Sequence, residues 1–511
     1  MEDKVEKKQH RVAGKILLKA ILQQNTPLLI SNGRSDDSDI DLITLPDKTP
    51  YIPGTSLAGL IRNRMSKIEK VDTPSFRQFW GYNTDKGQNY QSHIIMHSAR
   101  LCDDNGALIK KNGVKAWKVN REDGIKIDKE TKQIDNKYDY QVLQPGNRFL
   151  FMAEVTIREG FCRKEFLSFA ENVLNILGSD LRVGAMTQNG FGRFSVVDSK
   201  SWLTALDFSE EASQEKWFKY IEPDQATSDK LQESEYKIVP IAESQFKIDA
   251  YFRIKSSLIT ADYSQPLGNG KDDSDKIHKM RTENHNDSQT FAIITGKALK
   301  GAISQKAHDI IEEYFKEQSN VSQLYKSLFG SVDESEPNNR AIKSTLLIEE
   351  TKIPIANQEK DKVEIDKRSD QPSVLSKAQT RIKIDRFTGG TVRGALLNTR
   401  PIWHNEGSDY FHVSMKIMND NNLDSEEGQW LYHNKRVLLL HILKHLWTGN
   451  LAIGGEKGIG RGVLKGQYAI ITEGEKKAEI IQRADSLEIT DENRLLKNYN
   501  TWVQKQSVAV A

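Results

Sequence analysis

The sequence predicts an α+β protein in which one domain occurs twice in tandem. Three observations predict it: four short motifs recur in the same order, each half repeats one succession of strand and helix signals, and a polar segment separates the halves. Internal repetition governs the fold more than any local signal, because each copy must build its own core. The first motif pair is YIPGTSLAGLIRNRM from Tyr51 and IITGKALKGAISQKA from Ile293, with Gly54 matching Gly296 and Gly59 matching Gly301. The second is FWG, ending at Gly81, and LFG, ending at Gly330. The third is GIKIDKET from Gly124 and RIKIDRFT from Arg381, where Asp128 matches Asp385. The fourth is LRVGAMTQNGFGRF from Leu181 and LAIGGEKGIGRGVL from Leu451, where Gly184 matches Gly454 and the GFGR end matches GIGR. Separations of 242, 257 and 270 residues imply that the second copy carries insertions.

Each copy opens on a strand-like run, HRVAGKILLKAILQQNTPLLI in the first and FKIDAYFRIKSSLIT in the second. Both show β-branched content and mixed alternation of polar and apolar residues. A helix follows each first motif; Thr55 and Ser56 stand at its start in the first copy, and hydroxyls are favoured helix caps. Strand signals then return in QPGNRFLFMAEVTI and DYFHVSMKIM. A second helix follows in KEFLSFAENVLNILG and NKRVLLLHILKHLW, then a glycine loop and a last strand. The order strand, helix, strand-rich middle, helix, strand is that of a ferredoxin-like (RRM-like) domain with inserted loops. The expected boundaries are a first domain over 1–208, a linker with one short helix over 209–244, a second domain over 245–475 and a helical tail over 476–511. The polar stretch 331–377 is an insertion within the second domain, too poor in apolar residues to build a core.

Composition narrows the function classes. The 511 residues include only two cysteines, Cys102 and Cys162, which excludes a disulfide framework and a cysteine zinc site. No run approaches the roughly 18 apolar residues of a membrane span, and the start lacks the apolar core of a secretory signal. A cytoplasmic protein is expected. A net charge of +2 neither announces nor excludes a nucleic-acid binder, since binding needs a local basic groove rather than a basic average.

Several motifs carry chemistry. Glycine loops let a backbone approach a polyanion, and their N–H groups can cradle phosphate. Arg193 and Arg461 add charge there; a tight turn before a strand is the plainer reading of one such loop alone. Helix starts bind anions through unpaired N–H groups, and Lys297 and Lys300 reinforce this in the second copy. The loop SDDSDIDLI supplies Asp36, Asp37, Asp39 and Asp41, and GKDDSDKIHK supplies Asp272, Asp273, Asp275 and His278. Clustered carboxylates hold divalent metals or move protons, although one acidic loop alone is usually a solvated face. His441 and His445 share a helix face, but no glutamate follows His441 as a base, and both read as structural. Trp403 and Phe387 could stack on bases, with core packing an equal reading for Trp403.

These motifs resemble the RAMP superfamily, specifically the backbone subunit of type III CRISPR effector complexes. The carriers are YIPGTSLAGLIR, ITGKALKGAI, FWG and LFG, RIKIDRFTGGTVRGALLNTRPIW and the two glycine loops. A tandem fusion looks like the double backbone subunit of type III-D systems. The resemblance implies RRM-like domains stacked along a guide RNA, each with a β-hairpin thumb that wedges into the guide–target duplex. It implies metal-dependent cleavage of target RNA by attack of a 2′-hydroxyl at regularly spaced sites, with Mg2+ as the suitable ion. In the family the aspartate that supports cleavage follows an apolar residue before the IPG motif, the place of Asp41 after Ile40, which would also hold the metal. The second copy has Glu283 at the counted position, and a loop insertion would bring Asp275 there as its catalytic residue. The first copy's thumb run, DKETKQ, lacks the double glycine. The implied RNA contacts are Thr55, Ser56 and Arg62 on the first helix, and Gly190, Gly192 and Arg193 in the first loop. In the second copy they are Lys297, Lys300, Lys383 and Arg386, with Gly454, Gly455, Gly460 and Arg461 in the loop. Implied partners are guide RNA, target RNA, other RAMP subunits and the large signalling subunit of the complex. The alternatives are a guide-binding subunit that does not cut and a repeat-RNA processing endoribonuclease.

Overall fold

The computed structural model describes residues 11–31, 39–68, 73–83, 89–109, 117–127, 134–219, 234–241, 245–260, 280–282, 290–314, 321–332, 341–355, 375–376, 379–399, 401–403, 411–418, 425–484, 486–492 and 494–496. The chain divides into two compact units. One comprises Met1–Gly124, Lys137–Thr187 and Phe191–Ala242; the other comprises Ile125–Asn136, Gln188–Gly190 and Glu243–Ala511. The described residues form a mixed α/β protein with several antiparallel sheets and seven α-helices.

The strands used below with the first unit are β1 (Val12–Gln24), β2 (Tyr51–Ile52), β3 (Ala99–Cys102), β4 (Val119–Ile127), β5 (Ile134–Leu143), β6 (Arg148–Arg158), β7 (Leu181–Arg182) and β8 (Arg193–Asp207); the last three residues of β4 and the first three of β5 are assigned to the other unit. The main sheet runs β7-β8-β1-β6-β3-β2, with β1 in its interior. Ile16 pairs with Ala205 on one side and Val155 on the other, and both pairings are antiparallel. Helices α1 (Gly54–Ile68), α2 (Pro74–Trp80) and α3 (Arg163–Gly178) supply the other half of the core. Leu57, Ile61 and Met65 recur every four residues on α1 and are fully buried, as one face of a helix requires. Thr73 caps α2 by accepting the Phe76 N–H at 3.2 Å, ahead of Pro74 at the first turn. That cap seats Phe79 edge-on against Phe166 and Phe169.

In the second unit, β9 (Phe246–Ile254), β10 (Leu346–Ile348), β11 (Gln379–Ile384), β12 (Thr391–Thr399), β13 (Phe411–Ile417), β14 (Leu464–Glu473), β15 (Lys476–Gln482) and β16 (Leu487–Thr490) are used below. The sheet runs β10-β13-β9-β14-β15-β16. β9 alternates strictly, burying Phe246, Ile248, Ala250, Phe252 and Ile254 while the intervening side chains face outward. The buried row packs with residues of α5 (Gly296–Tyr314), α6 (Val321–Phe329) and α7 (Glu426–Thr448). Ser425 caps α7 through the Gly428 N–H at 3.0 Å, and Gly449 ends it in the left-handed region, φ 82°.

Three expectations change. The stretch 331–377 is not wholly a polar insertion: β10 forms an edge of the sheet, and Leu346, Ile348 and Ile353 are buried in the core. The tail beyond 475 is not helical where it is described: β15 and β16 extend the sheet. The cause is a two-residue turn in which Gly474, φ 58°, lets Lys476 pair with Glu473 and return the chain along β14. The segment 209–244 contains the expected short helix, α4 (Glu211–Lys219), yet its described residues pack back on the first unit. Lys15 lies over the Trp217 ring at 4.3 Å, and the Tyr236 N–H donates to the Ser201 carbonyl at 2.9 Å.

Candidate nucleic-acid interface

The two glycine loops are built alike, by close approach of backbone to backbone. In the first, a Cβ on Gly192 would stand 1.9 Å from the Val183 oxygen, and φ is +69°. In the second, a Cβ on Gly462 would stand 1.8 Å from the Ile453 oxygen, and φ is +76°. No side chain fits either position. The Gly192 N–H donates to the Pro27 carbonyl and the Gly462 N–H to the Ser257 carbonyl, both at 2.7 Å. These contacts fix the correspondence: Gly184, Gly190 and Gly192 match Gly454, Gly460 and Gly462. The expected match of GFGR with GIGR is therefore shifted by two residues. Arg461 stands where the first unit has Phe191, and the counterpart of Arg193 is Val463. The spacing of two backbone contacts sets the loop, and the arginine is no part of that geometry.

The loop N–H groups are largely spent within the fold. Ala185 donates to the Leu29 carbonyl, and Gly455, matching it, donates to the Ile259 carbonyl. The Gly460 N–H closes a tight turn onto Lys457, while its carbonyl accepts from Ser256 Oγ at 2.6 Å. Of the two loop arginines, Arg193 is about half exposed beside Asp180, at 3.5 Å. Arg461 is 4% exposed, so the charge expected to meet RNA is turned inward.

What the shifted residue touches is a hairpin root. In the first unit β4 and β5 form a hairpin, and Phe191 packs in a cluster with Leu29, Tyr140 and Val142. The Phe191 and Tyr140 rings lie 6.3 Å apart, and burial pushes the Tyr140 hydroxyl far above its ordinary range. In the second unit β11 and β12 form a hairpin, and Arg461 binds the side chain of Gln379 at its start. Arg461 Nε also meets Glu456 at 3.1 Å, and Glu456 meets Arg381, again on β11. Glu456 holds a left-handed backbone, φ 57° and ψ 36°, rarely adopted by non-glycine residues. A glutamate thus joins two arginines and ties the hairpin to the loop.

The second hairpin ends in an ordered turn. The Asp385 carboxylate accepts the N–H groups of Phe387 and Thr388, each at 2.9 Å, and these bonds hold it below the usual carboxylate range. Gly389, φ 67°, completes the turn. Phe387 is wholly exposed at the tip, with Ile382, Ile384, Lys383 and Arg386 exposed around it. Asp128, its match in the first copy's sequence, lies outside the described residues.

Asp41 stands at the root of the first hairpin. Its neighbour Ile40 bridges Tyr140 of β5, and the Gln141 N–H donates to the Ile40 carbonyl at 2.9 Å. Asp39 and Asp139 each accept the other's backbone N–H, at 3.1 and 2.9 Å. The Asp39 N–H and the Arg121 guanidinium hold the Asp139 carboxyl below its ordinary range. No group of three or more metal-ligating side chains occurs among the described residues. The described residues around Asp41 therefore do not make up an all-protein metal cage. Asp36, Asp37, Asp272, Asp273, Asp275, His278 and Glu283 lie outside the described residues.

At the helix starts, Thr55 and Arg62 are exposed on α1 and Ser56 is partly so. Lys297 is partly exposed on α5. Lys300 is not an outward contact: its ammonium reaches Ser344 Oγ at 2.7 Å and the Leu346 carbonyl at 2.9 Å, and burial lowers it to about 7. Its counterpart in the first copy is Ala58. His441 and His445 lie within α7, and burial lowers His441 to about 4. The sequence reading missed Glu456, Gln379 and the role of Phe191, because each acts through a partner far along the chain.

No helix among the described residues is long and apolar enough to cross a membrane. No curated protein matches the chain. The family model of the RAMP superfamily matches residues 23–195 and 265–465, one region in each copy of the duplication and more than half of the chain. The chain belongs to the RAMP superfamily of CRISPR-associated RNA-binding proteins.

Proposed function

We propose that the chain is a tandem backbone subunit of a type III CRISPR effector, of the type III-D double-domain kind, which binds guide RNA and cuts complementary target RNA. The observation that carries the cutting is Asp41 at the root of the β4–β5 hairpin. The strand orders support two ferredoxin-like halves, since β1 lies between β8 and β6 and β9 between β14 and β13, first strand beside last and third. The proposed boundaries are those of the repeat: 1–208 and 245–475, with the intervening segment and the tail docked on them.

The two hairpins act as thumbs. Phe387, exposed on a turn that Asp385 keeps rigid, supplies an apolar wedge, and Lys383 and Arg386 flank it with charge for phosphates. Thr55 and Ser56 stand at the start of α1, where a helix would meet an anion, and Arg62 is exposed two turns further along it. The bridge of Ile40 to Tyr140 supports this reading, because it sets the Asp41 backbone beside the base of β5. A hydrated Mg2+ held there would polarise the scissile phosphate. Asp41 orients that group, and the hairpin splays the target so that its 2′-hydroxyl can reach the neighbouring phosphate. Asp275 is the proposed counterpart in the second half. The chain would act in the cytoplasm, beside other RAMP subunits and the large signalling subunit.

The test is a cleavage ladder. The complex is assembled with guide RNA, and end-labelled complementary RNA and Mg2+ are added. Asp41→Ala is expected to remove one product by about 100-fold or more while target binding persists. Asp275→Ala is expected to remove a second, shifted product. A ladder unchanged by both substitutions would make the chain a binding scaffold.

A further inference from the structure

Each glycine loop places two side chains on the hairpin of its own copy. Because Gly184 matches Gly454, Met186 and Glu456 share one position, as Phe191 and Arg461 share another. Met186 has φ 56° and Glu456 φ 57°, left-handed backbone in both copies although neither is glycine. Such a backbone persists only where its surroundings over-determine it. In both copies the side chain it carries reaches a hairpin. Met186 packs against the cluster of Leu29, Tyr140, Val142 and Phe191. Glu456 meets Arg381 of β11, and Arg461 meets both Glu456 and Gln379.

The second hairpin has little else to direct it. β11 and β12 form a two-stranded sheet that pairs with no other strand among the described residues. Nearer its base, Leu375 and Ser376 pair with Trp403 and Ile402, and those two pair with Ser257 and Leu258. Ser257 also accepts the Gly462 N–H, so the base of the ribbon and the loop share one anchor. Beyond that anchor, the polar side-chain links from the hairpin to the rest of the unit, among the described residues, are Gln379 to Arg461 and Arg381 to Glu456. The exposed Phe387 lies beyond the six residues of β11, about 20 Å from these links. A tilt of about 10° at the root would move such a tip by about 3.5 Å, one base step.

We propose that Glu456 is a positioning residue: through Arg381 and Arg461 it aims the second hairpin, and so sets which nucleotide of a bound RNA strand that hairpin meets. The glycine loop is then a mount for the hairpin and not a phosphate cradle. A cradle needs N–H groups free to face phosphate, whereas these are largely spent in the fold and Arg461 is turned inward. Met186 and Phe191 mount the first hairpin by apolar contact. The inference rests on the reading of the hairpins as wedges in a guide–target duplex.

The experiment uses the complex assembled with guide RNA and a set of complementary targets, each carrying 2-aminopurine, a base that brightens when unstacked, at one position. In the wild type a bright position is expected beside each hairpin. Glu456→Ala is expected to dim the second bright position or shift it by about one nucleotide, while the first stays as it was and target affinity holds within a few-fold. Arg381→Leu with Glu456→Met and Arg461→Phe, the apolar mount of the first copy, should return the signal to its wild-type place. A second position that stays bright and unmoved in Glu456→Ala would overturn the proposal. Loss of both positions together would overturn it as well, since a residue that only stabilises the fold would give that result. Tighter target binding at an unmoved position also counts against it, because removing a carboxylate from beside two arginines would strengthen a phosphate cradle. No bright position beside either hairpin in the wild type would sink the wedge reading itself, and this inference with it.

Discussion

The two hairpin roots do the same mechanical job with opposite chemistry. In the first unit Phe191, 1% exposed, fills a pocket of Leu29, Tyr140 and Val142. In the second, the same loop position holds Arg461, and a glutamate bridges it to Arg381. The pattern recurs. Ala58 becomes Lys300 and Met186 becomes Glu456. The first copy closes these positions with apolar contact, and the second uses them for polar or ionised groups. Apolar packing needs only volume, whereas a buried charge needs a partner at hydrogen-bond distance. A duplicated fold can therefore keep its backbone while one copy becomes sensitive to pH and single substitutions in a way the other is not.

The largest break of this comparison is Phe191→Ala. It leaves a cavity at the first root and is expected to cost about 3–5 kcal/mol, read as a fall in the urea midpoint. Next is Glu456→Ala, which strands two guanidinium groups. Because Arg381 and Glu456 are partly exposed, the expected loss is about 2 kcal/mol, below that of a fully buried pair. Hydrogen exchange should show β11 and β12 opening faster, with β4 and β5 unchanged. The sharper test replaces the triad as a whole. Arg381→Leu with Glu456→Met and Arg461→Phe installs the first unit's solution, and stability should return to within about 1 kcal/mol of wild type. Failure to recover would mean that the ionic clamp is not interchangeable with an apolar one.

The smallest effect concerns Lys300. Its folded-state value is about 7, against 10.5 when it is free. Below about 7 both states carry the proton and the burial penalty is felt in full. Between the two values the unfolded chain binds more protons, so stability rises with pH and the gain is lost as pH falls through 7. Measured against Lys300→Met, the wild type should gain about 1–3 kcal/mol between pH 7 and 9. A constant gap across that range would show that the ammonium is not desolvated, and the contrast with Ala58 would lose its meaning.

Much of this was legible in the chain. The mixed alternation of FKIDAYFRI predicted a strand and β9 is one, its two-residue period burying Phe246, Ile248 and Ala250 on one face. The resemblance implied a hairpin thumb, and Asp385 orders the turn of the β11–β12 hairpin through local bonds that sequence proximity makes available. The glycine loops were visible too, but their register was not. Adjacent GxGR letters suggested one alignment, while contacts to Pro27 and Ser257 impose another, two residues away.

By itself, then, the sequence determined the recurrence of its motifs and the order of strands and helices, because periodicity, glycine and repetition act over short distances. The tertiary structure alone decided which charges face out. Arg461 meets Gln379 across 82 residues of chain, and Lys300 meets Leu346 across 46. It alone turned 476–490 into strands, because a sheet edge was there to receive them. A cation's direction depends on which distant oxygen is available within hydrogen-bond reach, and no local pattern encodes that distance.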